Sequence, residues 1–337
     1  MRRKARAMGA AICAIVLLAT LAGCGGLLGR NRLVQKEAYD IMDTDVDIKA
    51  YGANAAAAID KAIDEMRRLD AMLSSYNANS EISQVNREAG IKPVKVSPET
   101  YQVTERALYF ASLSDGAFDP TIFPIMRLWG FGEAEQHVPP AQEIQRVLPL
   151  VDYRKVQLNA KDGTIFLEEK GMGLDLGAIA KGYAVDRMAA IMRHEGVVSF
   201  LINAGGNVYA SSRKPDGTPW IVAVTDPRNP GDYLGTIEAE DISIVSSGDY
   251  ERFFEEAGQR YHHIIDPKTG YPSRTSRGTT VFLPSSTDAD GLSTTLFVLG
   301  PDKSSLILSK FPGVGAIFVL PDGTIAKKGI VDDFEFK

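Results

Sequence analysis

Three stretches of the chain carry residue types that could do chemistry. In Asp288-Ala289-Asp290-Gly291-Leu292-Ser293-Thr294-Thr295, Asp290 and Thr294 are four apart and so share one helical face. A carboxylate and a hydroxyl are hard oxygen donors, which suit Mg²⁺ because that ion takes few protein ligands and completes its shell with phosphate oxygens and water. The same residues also suit an ordinary helix start, with Asp288 or Asp290 as N-cap and Thr294 bonded back to its own helix. His262 and His263 are two of only four histidines and open His262-His263-Ile264-Ile265-Asp266-Pro267, a strand running into a turn. Strand neighbours face opposite ways, so at most one of the pair reaches a given pocket. Both could equally be structural, with Asp266 capping the turn. No third His or Cys stands at ligand spacing, which argues against a zinc site.

The third stretch runs from Gly173 to Asp186, where an isolated acid, Asp175, and a turn-forming glycine, Gly177, precede an amphipathic run. It reads as a strand handing over to a helix whose N-terminus sits at Gly177-Ala178. Free N–H groups there, with Lys181 one turn in, favour an anion such as a phosphate, although a plain helix start fits as well.

Other elements must hold these stretches in place. Ile179, Tyr183, Met188 and Ile191 with Met192 extend the helix to His194-Glu195-Gly196, whose glycine closes it. Strict alternation predicts a strand over residues 41–51, followed by a helix from Asn54 as N-cap through Leu73, striped by Ile59, Ile63, Met66 and Leu69. Ser97-Pro98 opens a helix to Leu113, shorter helices are expected at 80–85 and 141–147, and regular structure is weak from Ser114 to Trp129. Asn203-Ala204-Gly205-Gly206-Asn207 ends a strand on paired glycines, which permit close backbone approach. Further strands, hairpins at Gly258 and Asp322-Gly323, and a helix from about Ala289 follow without a βαβ rhythm, so the class is α+β with mixed β-sheets and packed helices.

With 337 residues and a net charge of −6, the chain can build a real core and offers no basic stripe for nucleic acid. An anionic ligand must therefore be held by local donors or a metal. Arg2, Arg3, Lys4 and Arg6 precede an apolar run over 8–22 that is short for a membrane span and reads as a secretion signal. Leu21-Ala22-Gly23-Cys24 resembles a bacterial lipobox, in which the cysteine becomes the lipidated N-terminus. On this reading residues 1–23 are a signal peptide, 24–37 a lipidated tether and 38–337 one domain. Cys13 is then removed, so no disulfide is expected.

Taken together, Ala117-Phe118-Asp119, Asp175 to Tyr183, Asn203-Ala204-Gly205-Gly206, Ser246 to Arg252, His263 to Pro267 and Asp290 to Thr294 resemble, in this order, the ApbE family of bacterial FAD:protein FMN transferases. The resemblance covers roughly residues 42–300, with Asn207 standing where the family more often has Asp. It implies two intertwined subdomains around a central FAD cleft. It also implies that the FMN half of FAD moves onto a threonine hydroxyl of an acceptor protein, releasing AMP, with Mg²⁺ on the pyrophosphate. Carried over by motif, Met42, Tyr76, Ala117, Phe118, Asp119, Asp175, Lys181 and Ile264 would surround FAD. The Ala178 carbonyl with the Asp290 and Thr294 side chains would hold the metal. The Tyr76 ring suits stacking on a flavin or adenine plane. His263 is the candidate general base for the hydroxyl, with Asp290 or a water on the metal as alternatives. Two other readings stay open: a FAD pyrophosphatase in which water replaces threonine, and a lipoprotein that carries FAD without chemistry. The implied partners are membrane-associated electron-transfer subunits facing the same extracytoplasmic or periplasmic side as a lipid anchor on Cys24.

Overall fold

The computed structural model describes residues 32–133, 135–229 and 231–337. The expected signal peptide, Cys24 and the glycine-rich start of the tether lie outside them.

Strands β1 (Leu33–Ile41) and β2 (Thr44–Tyr51) form an antiparallel hairpin. The tether predicted through residue 37 therefore gives way to a strand from Leu33. As an edge strand β1 leaves most of its side chains outside the core, so its polar sequence hides it. Helix α1 (Ala55–Leu73) buries Ala58, Ile59, Ala62, Ile63, Met66 and Leu69 along one stripe, as the periodicity requires. Asn54 does not cap it; its side chain instead donates to the Glu195 carbonyl, pinning the start of α1 to the end of a later helix.

Helix α2 (Glu81–Arg87), strand β3 (Val94–Lys95) and helix α3 (Pro98–Leu113) follow, and Ser97 caps α3 by accepting from Thr100 N. The stretch expected to be weak in regular structure contains a 3₁₀ turn and helix α4 (Phe123–Trp129), which is short and apolar on most sides because it packs under a hairpin described below. Helix α5 (Ala141–Val147) and strands β4 (Val156–Asn159) and β5 (Thr164–Leu167) complete the first half.

The central helix α6 (Ala180–His194) starts later than the predicted Gly177-Ala178, and Gly173 to Leu176 belong to neither a helix nor a sheet. Asn86 supplies what a neighbouring strand would: its Oδ1 accepts from Leu174 N at 2.6 Å and its Nδ2 donates to Leu174 O at 2.9 Å. Strands β6 (Ser199–Ala204), β7 (Asn207–Ser211), β8 (Trp220–Thr225), β9 (Tyr233–Ala239), β10 (Ile242–Gly248), β11 (Phe253–Glu256), β12 (Gln259–His262), β13 (Ile265–Asp266), β14 (Tyr271–Pro272) and β15 (Gly278–Leu283) lead to helix α7 (Ser286–Leu299). Helix α8 (Pro301–Leu308) and strands β16 (Gly315–Val319), β17 (Ile325–Gly329) and β18 (Phe334–Phe336) close the chain.

The frame is an eight-stranded sheet in the order β1-β2-β6-β7-β10-β15-β16-β17, and its pairings are antiparallel. Its two faces are covered differently. Val245, Val281, Ala316 and Phe318 point to the main core beneath α1, α6 and α7. Their neighbours Ile244, Phe282, Ile317 and Val319 face a second core built with β8, β9 and β18 around Trp220 and Phe334. β15 is therefore apolar on both sides, which a period of two makes unavoidable at the centre of three layers. A satellite core of Ile125, Met126, Trp129, Phe131, Ile144 and Ile265 joins α4 and α5 to β13. The α+β class read from the sequence is the class observed, and a cleft lies where the main core meets the satellite.

Candidate active site

The cleft has a volume of about 390 Å³, and all twelve residues singled out from the sequence line it: Met42, Tyr76, Ala117, Phe118, Asp119, Asp175, Ala178, Lys181, His263, Ile264, Asp290 and Thr294. They arrive from the β1–β2 turn, the end of α1, the loop before α4, the start of α6, the link from β12 to β13, and α7.

The α6–α7 crossing sets the innermost corner. A Cβ on Gly182 would lie 2.3 Å from the Ser286 carbonyl oxygen and 2.6 Å from the Asp290 Cβ, so only glycine lets the two helices approach this closely. That approach brings Gly182 N to Asp290 Oδ2 at 2.8 Å. In a regular helix Gly182 N would donate to the Ala178 carbonyl, four residues back. Here the N–H is diverted, the next donor, Tyr183 N, goes to Ile179 O, and the Ala178 carbonyl accepts no backbone hydrogen bond among the described residues.

Asp290 is 3 % exposed, and burial raises its pKa while Lys181 and Gly182 N oppose the rise. The Nδ2 of Asn207, close enough to favour the charged carboxylate, is buried with no hydrogen-bond partner among the described residues. Helix α7 is capped by Ser285, which accepts from Asp288 N, so neither Asp288 nor Asp290 has the capping role the sequence left open. It is Thr295 that bonds back, to Gly291 O at 2.7 Å, while the Thr294 hydroxyl lies 3.4 Å from Ser247 Oγ. Among the described residues, a free carbonyl, a buried carboxylate with one oxygen uncommitted and a hydroxyl thus line one part of the cleft. This donor set fits a hard divalent cation.

The two histidines divide as strand geometry requires. His262 is buried, donates from Nε2 to Ser273 O at 2.8 Å and accepts at Nδ1 from Ile264 N; burial lowers its pKa to about 4. It is structural. His263 turns into the cleft with Nδ1 3.3 Å from Arg252 O. A carbonyl can only accept, so Nδ1 carries the proton of the neutral ring and Nε2 presents its lone pair. Burial, then the Arg252 and Lys181 charges, hold His263 well below the usual histidine range.

Asp119 lines the cleft but is heavily engaged in the fold: Oδ1 accepts from Thr121 N and Oγ1, and Oδ2 from Tyr153 N. Asp175 Oδ1 accepts from Gly177 N, and burial raises its pKa. The Tyr76 ring lies over Gly132, where a Cβ would come within 2.4 Å of it, and its hydroxyl donates to Phe131 O. Its exposed face is part of the wall. Met42 sits in the β1–β2 turn at φ 54°, and Ile264 packs with Ala117 and Phe297. Glu251 and Arg252, at the end of the Ser246 to Arg252 motif, also line the wall. Glu251 faces Lys181, Arg252 and Asp290; it reaches solvent through the mouth, yet desolvation by the crowded wall pushes its pKa up to about 7. Arg252 pairs with Asp43 at 3.2 Å and carries the carbonyl that orients His263. Their separation in sequence from every other charged wall residue left no spacing signal.

Fold and site define an α+β enzyme whose cleft places a corner of oxygen donors next to a neutral histidine and a lysine. The chain belongs to the ApbE family, whose model matches residues 42–318. It is 37% identical over 338 residues to a FAD:protein FMN transferase of Treponema pallidum, covering 94% of this chain and 93% of that one. A Klebsiella pneumoniae protein of the same name is 35% identical, over 86% and 90% of the two chains. Among solved structures, the ApbE protein of Thermotoga maritima superposes with a TM-score of 0.82 at 33% identity, covering 88% of this chain and 97% of that one. The flavin transferase ApbE of Vibrio cholerae gives 0.79 at 27%, covering 89% and 97%.

Proposed function

We propose that this protein transfers the FMN moiety of FAD onto a threonine hydroxyl of acceptor proteins through a phosphoester bond and releases AMP. The observation that carries the proposal is the corner itself: the diversion of Gly182 N to Asp290 frees the Ala178 carbonyl beside the Asp290 carboxylate and the Thr294 hydroxyl, all within the cleft that holds His263.

These three groups would hold Mg²⁺, which when bound neutralises the pyrophosphate and polarises the phosphorus under attack. Lys181, with its ammonium 3.4 Å from Gly177 O, would pair with a phosphate oxygen. Phe118, Ile264 and the Tyr76 ring form an apolar wall against which a flavin can lie with water excluded. His263 Nε2 would take the proton from the threonine hydroxyl as its oxygen bonds to the FMN phosphorus. The bond from that phosphorus to the bridging oxygen breaks, and AMP leaves with the electron pair. The Arg252 carbonyl supports this step by fixing the tautomer before substrate arrives.

In this reading the chain is exported, lipid-anchored through Cys24 and turned to the extracytoplasmic side, where membrane electron-transfer subunits would be its acceptors. The deciding experiment mixes the purified protein, FAD and Mg²⁺ with a flavin-free electron-transfer subunit that carries threonine-linked FMN in its native host. Flavin fluorescence on the denatured subunit, with one AMP per label, is the expected result. Free FMN and AMP without label would establish the pyrophosphatase instead, and intact bound FAD would establish a carrier.

A further inference from the structure

The hairpin β11–β12 stands at the mouth of the cleft, and its two outer edges are not alike. Its register pairs Phe253 with His262, Phe254 with Tyr261, Glu255 with Arg260 and Glu256 with Gln259. One step nearer the cleft, His263 N donates to Arg252 O at 3.0 Å, which makes 252 and 263 a hydrogen-bonded pair. Antiparallel ladders alternate, so 254/261 and 256/259 are bonded pairs too, and the N–H and C=O groups of Phe253, Glu255, Arg260 and His262 point outward. On the β12 side the Arg260 carbonyl accepts from Arg274 Nη2 at 2.6 Å, and His262 is buried. On the β11 side the outward backbone groups of Phe253 and Glu255 have no partner among the described residues, and both side chains are exposed. Among the described residues β11 pairs with β12 alone.

This open edge is firmly mounted. Phe254 and Tyr261 anchor the hairpin on Trp129, with ring centroids 6.3 and 5.5 Å away, and its turn, Ala257 at φ 51° and Gly258 at φ 77°, matches the twist of the strands. The edge also runs into the chemistry, because Arg252 and Phe253 line the same cavity as His263. A threonine side chain is too short to reach a buried phosphorus from outside, so the acceptor's own backbone must enter the mouth. An extended segment is the thinnest form in which backbone can do so, and an unpaired strand edge is the surface that satisfies its hydrogen bonds.

We propose that the outer edge of β11 is the acceptor-docking strand: an extended segment of the acceptor protein adds to it through the Phe253 and Glu255 backbone and so carries its target threonine past Arg252 to His263. This rests on the flavin-transfer reading of the cleft.

Glu255→Pro tests it, because proline at an outward-facing edge position removes one docking donor and no ladder bond. With the flavin-free electron-transfer subunit as acceptor, the expected result is an acceptor KM raised roughly ten-fold, with FAD affinity and the rate at saturating acceptor unchanged. Glu255→Gln, which keeps the N–H, should change KM by less than about three-fold. Amide hydrogen exchange on the unmutated protein gives a second measurement independent of whether the proline variant folds: acceptor added in the presence of FAD should slow exchange at Phe253 and Glu255. A wild-type acceptor KM in folded Glu255→Pro, or no added protection at those two amides under saturating acceptor, overturns the proposal. Unmutated protein that binds FAD but labels no acceptor overturns the transfer reading beneath it, a separate result.

Discussion

Replacing Gly182 with alanine should damage both the fold and the chemistry, although alanine is the better helix former. The new Cβ would lie 2.3 Å from Ser286 O and 2.6 Å from Asp290 Cβ, contacts that can be relieved only by moving α7 away from α6. Overpacking of this kind costs about 1–3 kcal/mol. Loss of the 2.8 Å bond from Gly182 N to the Asp290 carboxylate adds about 1.5–3 kcal/mol, and the helix propensity of alanine returns about 1 kcal/mol. The net destabilisation is therefore about 1.5–5 kcal/mol, read as a lower urea midpoint at unchanged m-value. Asp290 would shift with α7, and a displacement on the order of 1 Å at a reacting centre costs roughly a hundred-fold in rate. Transfer should fall by about that factor with FAD affinity much less affected. A Gly182→Ala protein as stable as the original, with an undiminished rate, would refute the idea that this crossing builds the corner.

Asp290→Ala should abolish turnover while weakening FAD binding far less, because the carboxylate acts mainly on charge that develops during reaction; equal loss of rate and affinity, measured by flavin fluorescence titration, contradicts that division. His263→Ala should slow transfer roughly 10²–10⁴-fold. Because burial holds the His263 pKa well below the usual range, the base limb of the rate profile should stay flat as pH falls to 6 and drop only in more acid solution. A profile that bends near 6.5, or is unaltered in His263→Ala, places the base elsewhere. His262 links pH to stability: its folded pKa of about 4 lies below the usual 6.5, so the unfolded chain binds the proton first. Its contribution is intact above pH 6.5 and is lost as pH falls through 4, up to about 3 kcal/mol in total. His262→Gln should flatten that part of the urea-stability profile, and an unchanged acid slope counts against the linkage. Tyr76→Ala should weaken FAD binding roughly ten-fold through lost stacking, checked by equilibrium titration.

Much of this protein was legible without coordinates because its local signals agree with its global fold. The Ser97-Pro98 start of α3, the stripe on α1 and the alternation of β2 each combine a propensity with a face that must be buried, and all three elements form, although the strand expected over 41–51 starts only at Thr44 because Met42 and Asp43 make the β1–β2 turn at positive φ. The spacing of Asp290 and Thr294 and the opposition of His262 to His263 are likewise properties of helix and strand geometry, readable from residue numbers alone. Tertiary structure decided what those residues face. No local rule shows that Asn86 stands in for a missing strand beside Leu174, that Ser285 rather than Asp288 caps α7, or that Asn54 serves Glu195 instead of its own helix. Each depends on a partner at least 88 residues away or on competition among several capable caps. The Ala178 carbonyl is the clearest case: its availability follows from Gly182 N turning to a carboxylate 108 residues further along the chain. Sequence determined which groups could bind a cation and move a proton, since side-chain chemistry and element period are local. Only the α6–α7 crossing decided that a backbone carbonyl would be left free beside them, because a backbone group is freed by its surroundings and not by its residue type.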